Sequence, residues 1–330
     1  MLGLRHISLC HSPCRASLVP SPYGLAKRRQ ALVVRRNNDA MNLIQQAKKF
    51  IEAYFTKNGI VFKQVEDPIH TFIQYHNFLL RVITAHPRSV LESREIQQTT
   101  LDEVHQGYYS FIKNRIEKGL TIHHWQSKKL LHADQKDWLF SGWGIQHLHI
   151  SSPPTNGAIM APRSDYLLFL LIRDDVSYHI AILPHAEANK WARKSFLEIL
   201  YYNWPDIMEV HRLIGTYPTK EPEPDDEMRE KLHKAGINTL VDIDGKVFAS
   251  PNMGFNPNGY NLNSLIFGSD LHQKLMAIEK DIRLHPDFYS LQISNAGFKV
   301  PETLIFDVTN LSPNITIMET QTGFEFTSSK

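Results

Sequence analysis

Cysteine is almost missing from this chain. The two it has, Cys10 and Cys14, both fall in the first forty residues. From Met41 onward there is no disulfide and no thiol nucleophile, which removes cysteine hydrolases and zinc-thiolate centres from consideration. Long apolar runs are missing too. The longest, Tyr166 to Ile172, falls far short of the roughly 18 residues a membrane-crossing helix needs, so the chain reads as cytoplasmic, with no membrane partner. Charge of one sign is also lacking: 36 Lys and Arg stand against 34 Asp and Glu, a formal net charge of +2. Such a balance singles out no polyanionic or polycationic partner. No internal repeat is visible, and the turn-rich stretch 252–261 has glycines but not the Lys-Ser/Thr pair of a phosphate loop.

What is present is a globular composition. With 330 residues, 42% hydrophobic and 21% charged, the chain has material for two domains. Residues 1–40 stand apart: Arg5, Arg15, Lys27, Arg28, Arg29, Arg35 and Arg36 face a single acid, Asp39. A targeting presequence would have this composition. The reading preferred is a disordered basic extension outside the fold, in which Cys10 and Cys14 are incidental.

Helical periodicity dominates residues 41–130. Leu43, Ile44, Ala47, Phe50, Ile51, Tyr54 and Phe55 recur at helical spacing, closed by Asn58-Gly59. Asp67-Pro68 starts a second helix carrying Phe72, Ile73, Leu80 and Ile83. Thr100 and Glu103 have capping-box spacing ahead of Val104, Tyr108, Ile112 and Ile116. The His123-His124 pair and Lys128-Lys129 follow on what reads as a wet loop.

The centre of the chain, residues 131–214, is organised around Trp143-Gly-Ile-Gln-His-Leu-His-Ile150. In an extended segment alternate side chains share a face, so His147 and His149 stand together with Ile145. Tyr166 to Ile172 is an unbroken apolar strand, as expected when both faces are covered. Arg173-Asp174-Asp175 turns it into Val176 to Leu183, which carries His179 on the sheet and ends near His185. A helix is expected from about 189 to 203. Residues 215–227, with Pro218, Pro222, Pro224 and five acids, read as an interdomain linker. Residues 228–330 then form a smaller domain with an Asp244-Gly245 hairpin, a helix capped by Ser269 and terminal strands. The expected fold class is α+β: N-terminal helices packed on a central antiparallel sheet, followed by a second small α+β domain.

Three readings compete for the histidines. In the first, His147 and His149 act as general base and general acid on a phosphodiester, with a ribose 2′-hydroxyl as nucleophile. Arg163 steadies the developing charge and His185 stands nearby. RNA is then the partner, and no cofactor is needed. In the second, the histidines are structural and the protein is a non-enzymatic interaction module for a protein partner. In the third, His147, His149 and His179 ligate a divalent metal that activates water. His105, His132, His211, His233, His272 and His285 show how freely the chain uses this residue. The same-face pair beside a buried strand is what raises the cluster above that background.

Two resemblances attach to these residues. The run Trp138-Leu-Phe-Ser-Gly-Trp-Gly-Ile-Gln-His-Leu-His149, with Trp191, Glu198-Ile-Leu200 and Asn203-Trp204-Pro205, resembles an uncharacterised bacterial protein family, which implies no activity. From Leu139 to about His185, the layout of helices, a Gly-Ile-x-x-Leu-x-Ile strand, Arg163 and an apolar hairpin is similar to RelE-type ribonuclease toxins. That likeness implies an endoribonuclease and offers His147, His149 and Arg163 as its residues. Those toxins are small and basic, whereas this chain is long and nearly neutral. The leading expectation is a metal-independent, toxin-like endoribonuclease.

Overall fold

A computed structural model describes residues 41–328 apart from 156, 189 and 220, together with the strand Ala16–Ser17. The basic extension expected over residues 1–40 otherwise lies outside the described residues. In chain order the elements are β1 (Ala16–Ser17), α1 (Leu43–Lys57), α2 (Pro68–Arg81), β2 (Ser89–Glu92), α3 (Arg94–Gln98), α4 (Glu103–Glu117) and α5 (Trp138–Trp143). The strands β3 (Ile145–His149), β4 (Tyr166–Ile172) and β5 (Val176–Pro184) follow, then α6 (Ser195–Asn203), α7 (Pro205–Glu209) and α8 (Asp226–Lys234). The chain closes with β6 (Val241–Ile243), β7 (Lys246–Phe248), α9 (Leu262–Leu284), α10 (Pro286–Asn295), β8 (Phe306–Asn310), β9 (Thr316–Glu319) and β10 (Glu325–Thr327). The fold is mixed α+β. Among the described residues no helix is long and apolar enough to cross a membrane.

The described residues form two compact units, one of 60–63 and 73–266, the other of the remaining segments 41–59, 64–72 and 267–328. The first unit is built on a sheet of order β2-β5-β4-β3. Its last three strands are antiparallel, but β2 joins β5 in parallel, so the sheet is mixed rather than antiparallel throughout. β2 had no signature in the sequence because its residues alternate only between exposed and half-buried. Backbone pairing recruits it, flanked by Ser89 N–H donating to Asp175 O at 2.9 Å and Ser93 N–H to His179 O at 3.0 Å.

The apolar run of β4 is explained by cover on both faces. Leu167, Phe169 and Leu171 pack with Ile145 under Phe196, Leu197 and Leu200 of α6. Leu168 and Leu170 join Leu148 and Ile150 against Ile112 and Ile116 of α4 and against Trp125. β5 departs from simple alternation: Phe169 pairs with Ala181, but its neighbour Leu170 pairs with His179. Ile180 is therefore an inserted residue, and a bulge of this kind exchanges the faces of everything upstream of it.

The acidic, proline-containing stretch does not separate the two units. Glu223 meets Lys194 at 2.7 Å and Arg229 at 3.2 Å, while Asp226 accepts from Lys194 N–H at 2.9 Å. Asp225 caps α8 by accepting from Met228 N–H at 2.8 Å. Val241, Ile243 and Phe248 of the β6–β7 hairpin belong to the same core as Phe169 and Leu171. The division between units falls instead near residue 266.

In the second unit α1 buries Leu43, Ala47, Ile51 and Phe55. Its sheet has the order β1-β10-β9-β8. Tyr289 of α10 packs on Phe306 and Phe326, with ring centroids 5.8 and 5.0 Å away, and donates its hydroxyl to Asp281 at 2.7 Å.

Candidate functional site

The start of β3 is set by a sharp stop just before it. Asp137 caps α5, accepting from Phe140 N–H at 3.0 Å, and Gly144 ends the helix with φ of 74°. A side chain there would be strained by that φ and would also meet Leu171 at 3.3 Å. β3 follows at once, and its pairing of His147 with Phe169 and His149 with Leu167 puts both imidazoles on the α6 side of the sheet. His185 arrives from the end of β5, where its N–H donates to Asp165 O at 2.6 Å.

The three imidazoles form a row. His147 and His149 have ring centroids 6.1 Å apart, and His185 stacks on His149 at 5.7 Å and 21°. His147 also packs at 5.0 Å on Trp191 and 6.2 Å from Phe169. All three line a cavity of about 790 Å³ that Arg163, Lys128 and Lys129 also line. No ring nitrogen of the three has a hydrogen-bond partner among the described residues, and His149 Nδ1 is buried without one. Two buried histidines, by contrast, do engage a nitrogen: His179 with Tyr109 at 2.9 Å and His233 with Thr239 at 3.1 Å.

The electrostatics favour an anion. Of the charged side chains around the cavity six are Lys or Arg and three are Asp or Glu. Arg163, Lys128 and Lys129 are exposed and carry no ion pair among the described residues. Burial lowers the His147 pKa to about 4, with His185, Lys190 and Lys129 adding to the effect. His149 is also lowered to about 4, by burial first and then by His147, His185 and Arg163. At neutral pH both rings are uncharged proton acceptors. A bound phosphoryl group would supply the negative charge that favours their protonation.

His179 is not part of this row. The bulge at Ile180 turns it to the other face of the sheet, where its side chain is fully buried. Tyr109 Oη lies 2.9 Å from His179 Nδ1 and donates to Glu92 at 2.5 Å, and Lys113 also reaches Glu92, at 2.9 Å. The trio His147, His149 and His179 is therefore not assembled around one point. Among the described residues no group of three or more His, Cys, Asp or Glu side chains could hold a metal ion.

The structure thus gathers His147, His149, His185 and Arg163. It adds Trp191, Lys129 and Arg81, none of which the sequence had marked as belonging to a site. Lys128-Lys129 was visible as a basic pair, but nothing local tied it to a strand sixteen residues on. Comparison of the chain with protein-family models, curated proteins and solved structures finds no match.

Proposed function

We propose that the first unit is a metal-independent endoribonuclease. The observation that carries this reading is the row of three imidazoles without hydrogen-bond partners, opening onto one cavity with a cationic rim. In-line displacement at phosphorus needs a base on one side and an acid on the other, within the span of a single phosphate. One imidazole of the His147–His149 pair takes the proton of the ribose 2′-hydroxyl as that oxygen attacks phosphorus. The other, protonated in the presence of the phosphate, delivers a proton to the departing 5′-oxygen. Arg163 balances the charge on the non-bridging oxygens. The products are a 2′,3′-cyclic phosphate and a 5′-hydroxyl end, and proton exchange with water resets the pair.

The test is cleavage of a mixed structured and single-stranded RNA by the full chain, with and without chelator. Cleavage should survive chelation and fall by about 10²–10⁴ in His147→Ala and His149→Ala. Loss on chelation would instead indicate a metal hydrolase.

A second reading, a non-enzymatic interaction module, has one observation in its favour: His147 packs against Trp191 and Phe169 as a core residue would. Under that reading no sample cleaves RNA, and His147→Ala only lowers the melting temperature.

A further inference from the structure

Arg81, at the end of α2, is 4% exposed and lines the same cavity as the imidazoles. Its guanidinium is held entirely by carbonyls: Nε donates to Asn77 O at 3.0 Å, one terminal nitrogen to Lys129 O at 3.4 Å and the other to His132 O at 2.7 Å. No carboxylate among the described residues pairs with it. Asp137 and Asp134 act on it only at longer range, and burial outweighs them, lowering its pKa to about 10. A guanidinium carries five N–H donors, so two are left over. A buried cation without a counter-ion is costly to keep and is ready to receive an anion.

Its place relative to the imidazoles gives that anion an identity. β3 is one of the two edge strands of the sheet. Gln146, one residue before His147 and on the opposite face, donates Nε2–H to Arg81 O at 2.8 Å, and Gln146 and His147 both line the cavity. The cavity therefore wraps round the open edge of β3, with Arg81 on one side and the histidine row on the other. Lys129 bridges the two ends: its carbonyl accepts from Arg81 while its charge acts on His147. Two anion-attracting places joined by a cationic rim suit a ligand whose negative charges repeat along a backbone.

We propose that Arg81 receives a second phosphate of the substrate strand, so that the site takes a segment of RNA by two consecutive phosphates. One lies among the imidazoles and one at the guanidinium. This rests on the ribonuclease reading for the identity of the strand. The forked geometry of arginine matches phosphate oxygens in a way lysine cannot reproduce.

The experiment measures binding to the full chain by calorimetry, using 2′-deoxy dinucleotides that cannot be cleaved by the 2′-hydroxyl route. One carries only its internal phosphate; the others carry an added 5′- or 3′-terminal phosphate. A terminal phosphate at one of the two ends should tighten binding about tenfold or more, the value of a charged hydrogen bond. Arg81→Gln should abolish that gain, and Arg81→Lys should keep part of it. Because Arg81 also braces Asn77, Lys129 and His132, the nitrogen-15 shift of its Nε in the wild-type protein serves as a readout without substitution. It should move with the two-phosphate ligand and not with the one-phosphate ligand. Equal binding of all three dinucleotides, a gain that survives Arg81→Gln, or an unmoved Nε resonance overturns the proposal. Tighter binding of an acidic hexapeptide than of either nucleotide, through the same Arg81 resonance, would assign the site to a peptide and overturn it as well. The matching ribonucleotides separate the two readings. Gain without cleavage leaves the subsite and removes the catalysis; cleavage without gain does the reverse.

Discussion

At the scale of single residues, His147 and His149 couple folding to pH. Each is lowered to about 4 in the folded chain, chiefly by burial, and returns to about 6.5 when unfolded. As pH falls from about 6.5 toward 4 the unfolded chain takes up protons that the folded chain does not. Stability therefore declines across that window and levels off below it, where both states are protonated. His179 and His233, lowered to about 3 and about 4 by burial, add to the same decline. His147 and His149 differ from His179 in one respect, because they line the cavity, where a phosphate would supply the negative charge that an imidazolium there lacks. Binding of a non-cleavable 2′-deoxy oligonucleotide should thus raise the melting temperature more at about pH 5.5 than at about pH 7.5, against the trend in intrinsic stability. His149→Asn should flatten that difference. Protection that is the same at both pH values would show that the imidazoles take no part in holding the anion.

At the scale of elements, the inserted residue Ile180 separates the histidine that reaches the cavity from the one buried on the other face of the sheet. Downstream of it β5 leads to His185 and the cavity; upstream it delivers His179 to Tyr109 and Glu92 on the other face. Tyr109→Phe removes the hydroxyl that both partners share and leaves a buried imidazole and a part-buried carboxylate short of a bond. It should cost about 1–3 kcal/mol in urea unfolding, with RNA cleavage unchanged. Lost cleavage in a fully folded variant would return His179 to the site. The same strand shows where sequence reading stops. The β3–β4–β5 meander was legible because a seven-residue apolar run and a His-x-His alternation are local patterns. The β6–β7 turn was legible because Asp244 and Gly245 are the residues that tolerate their φ values of 52° and 73°. A one-residue insertion has no local signature, yet it moved His179 to the wrong side. Capping was read with similar limits: Thr100 has the right spacing, but Asp102 caps α4, its Oδ1 accepting from Val104 and His105 N–H at 3.1 and 3.0 Å. Helix α9 starts at Leu262 rather than near Ser269, which lies within it. Within the site the same-face histidines could be read from alternation alone. Arg81 and Lys129 could not, since only tertiary packing brings α2 and the 128–131 turn to β3.

At the scale of the whole molecule, the question is what the acidic stretch 215–227 joins. Composition makes it a linker, but the chain beyond it completes the first unit. Val241, Ile243 and Phe248 are each at most 2% exposed in the core beneath β4. Their burial is worth about 5–9 kcal/mol at the usual value for large apolar side chains, and a domain of this kind has only about 5–15 kcal/mol in total. Arg229 adds an anchor, donating to Ala192 O at 3.3 Å beside Trp191 and pairing with Asp226 at 2.6 Å. A chain of residues 41–214 should therefore lose cooperative thermal unfolding by circular dichroism, whereas 41–330 keeps it. A cooperative transition in the shorter chain at an unchanged midpoint would restore the linker reading. The same cut bears on function, because α8 supplies Glu230, His233 and Lys234 to the cavity wall. If the histidine row alone sufficed for chemistry, a folded 41–214 fragment would still cleave RNA. If the whole cavity is the binding site, cleavage should fall in a full-length chain carrying Lys234→Ala while its melting temperature stays unchanged, because the wall that α8 provides then loses a cation.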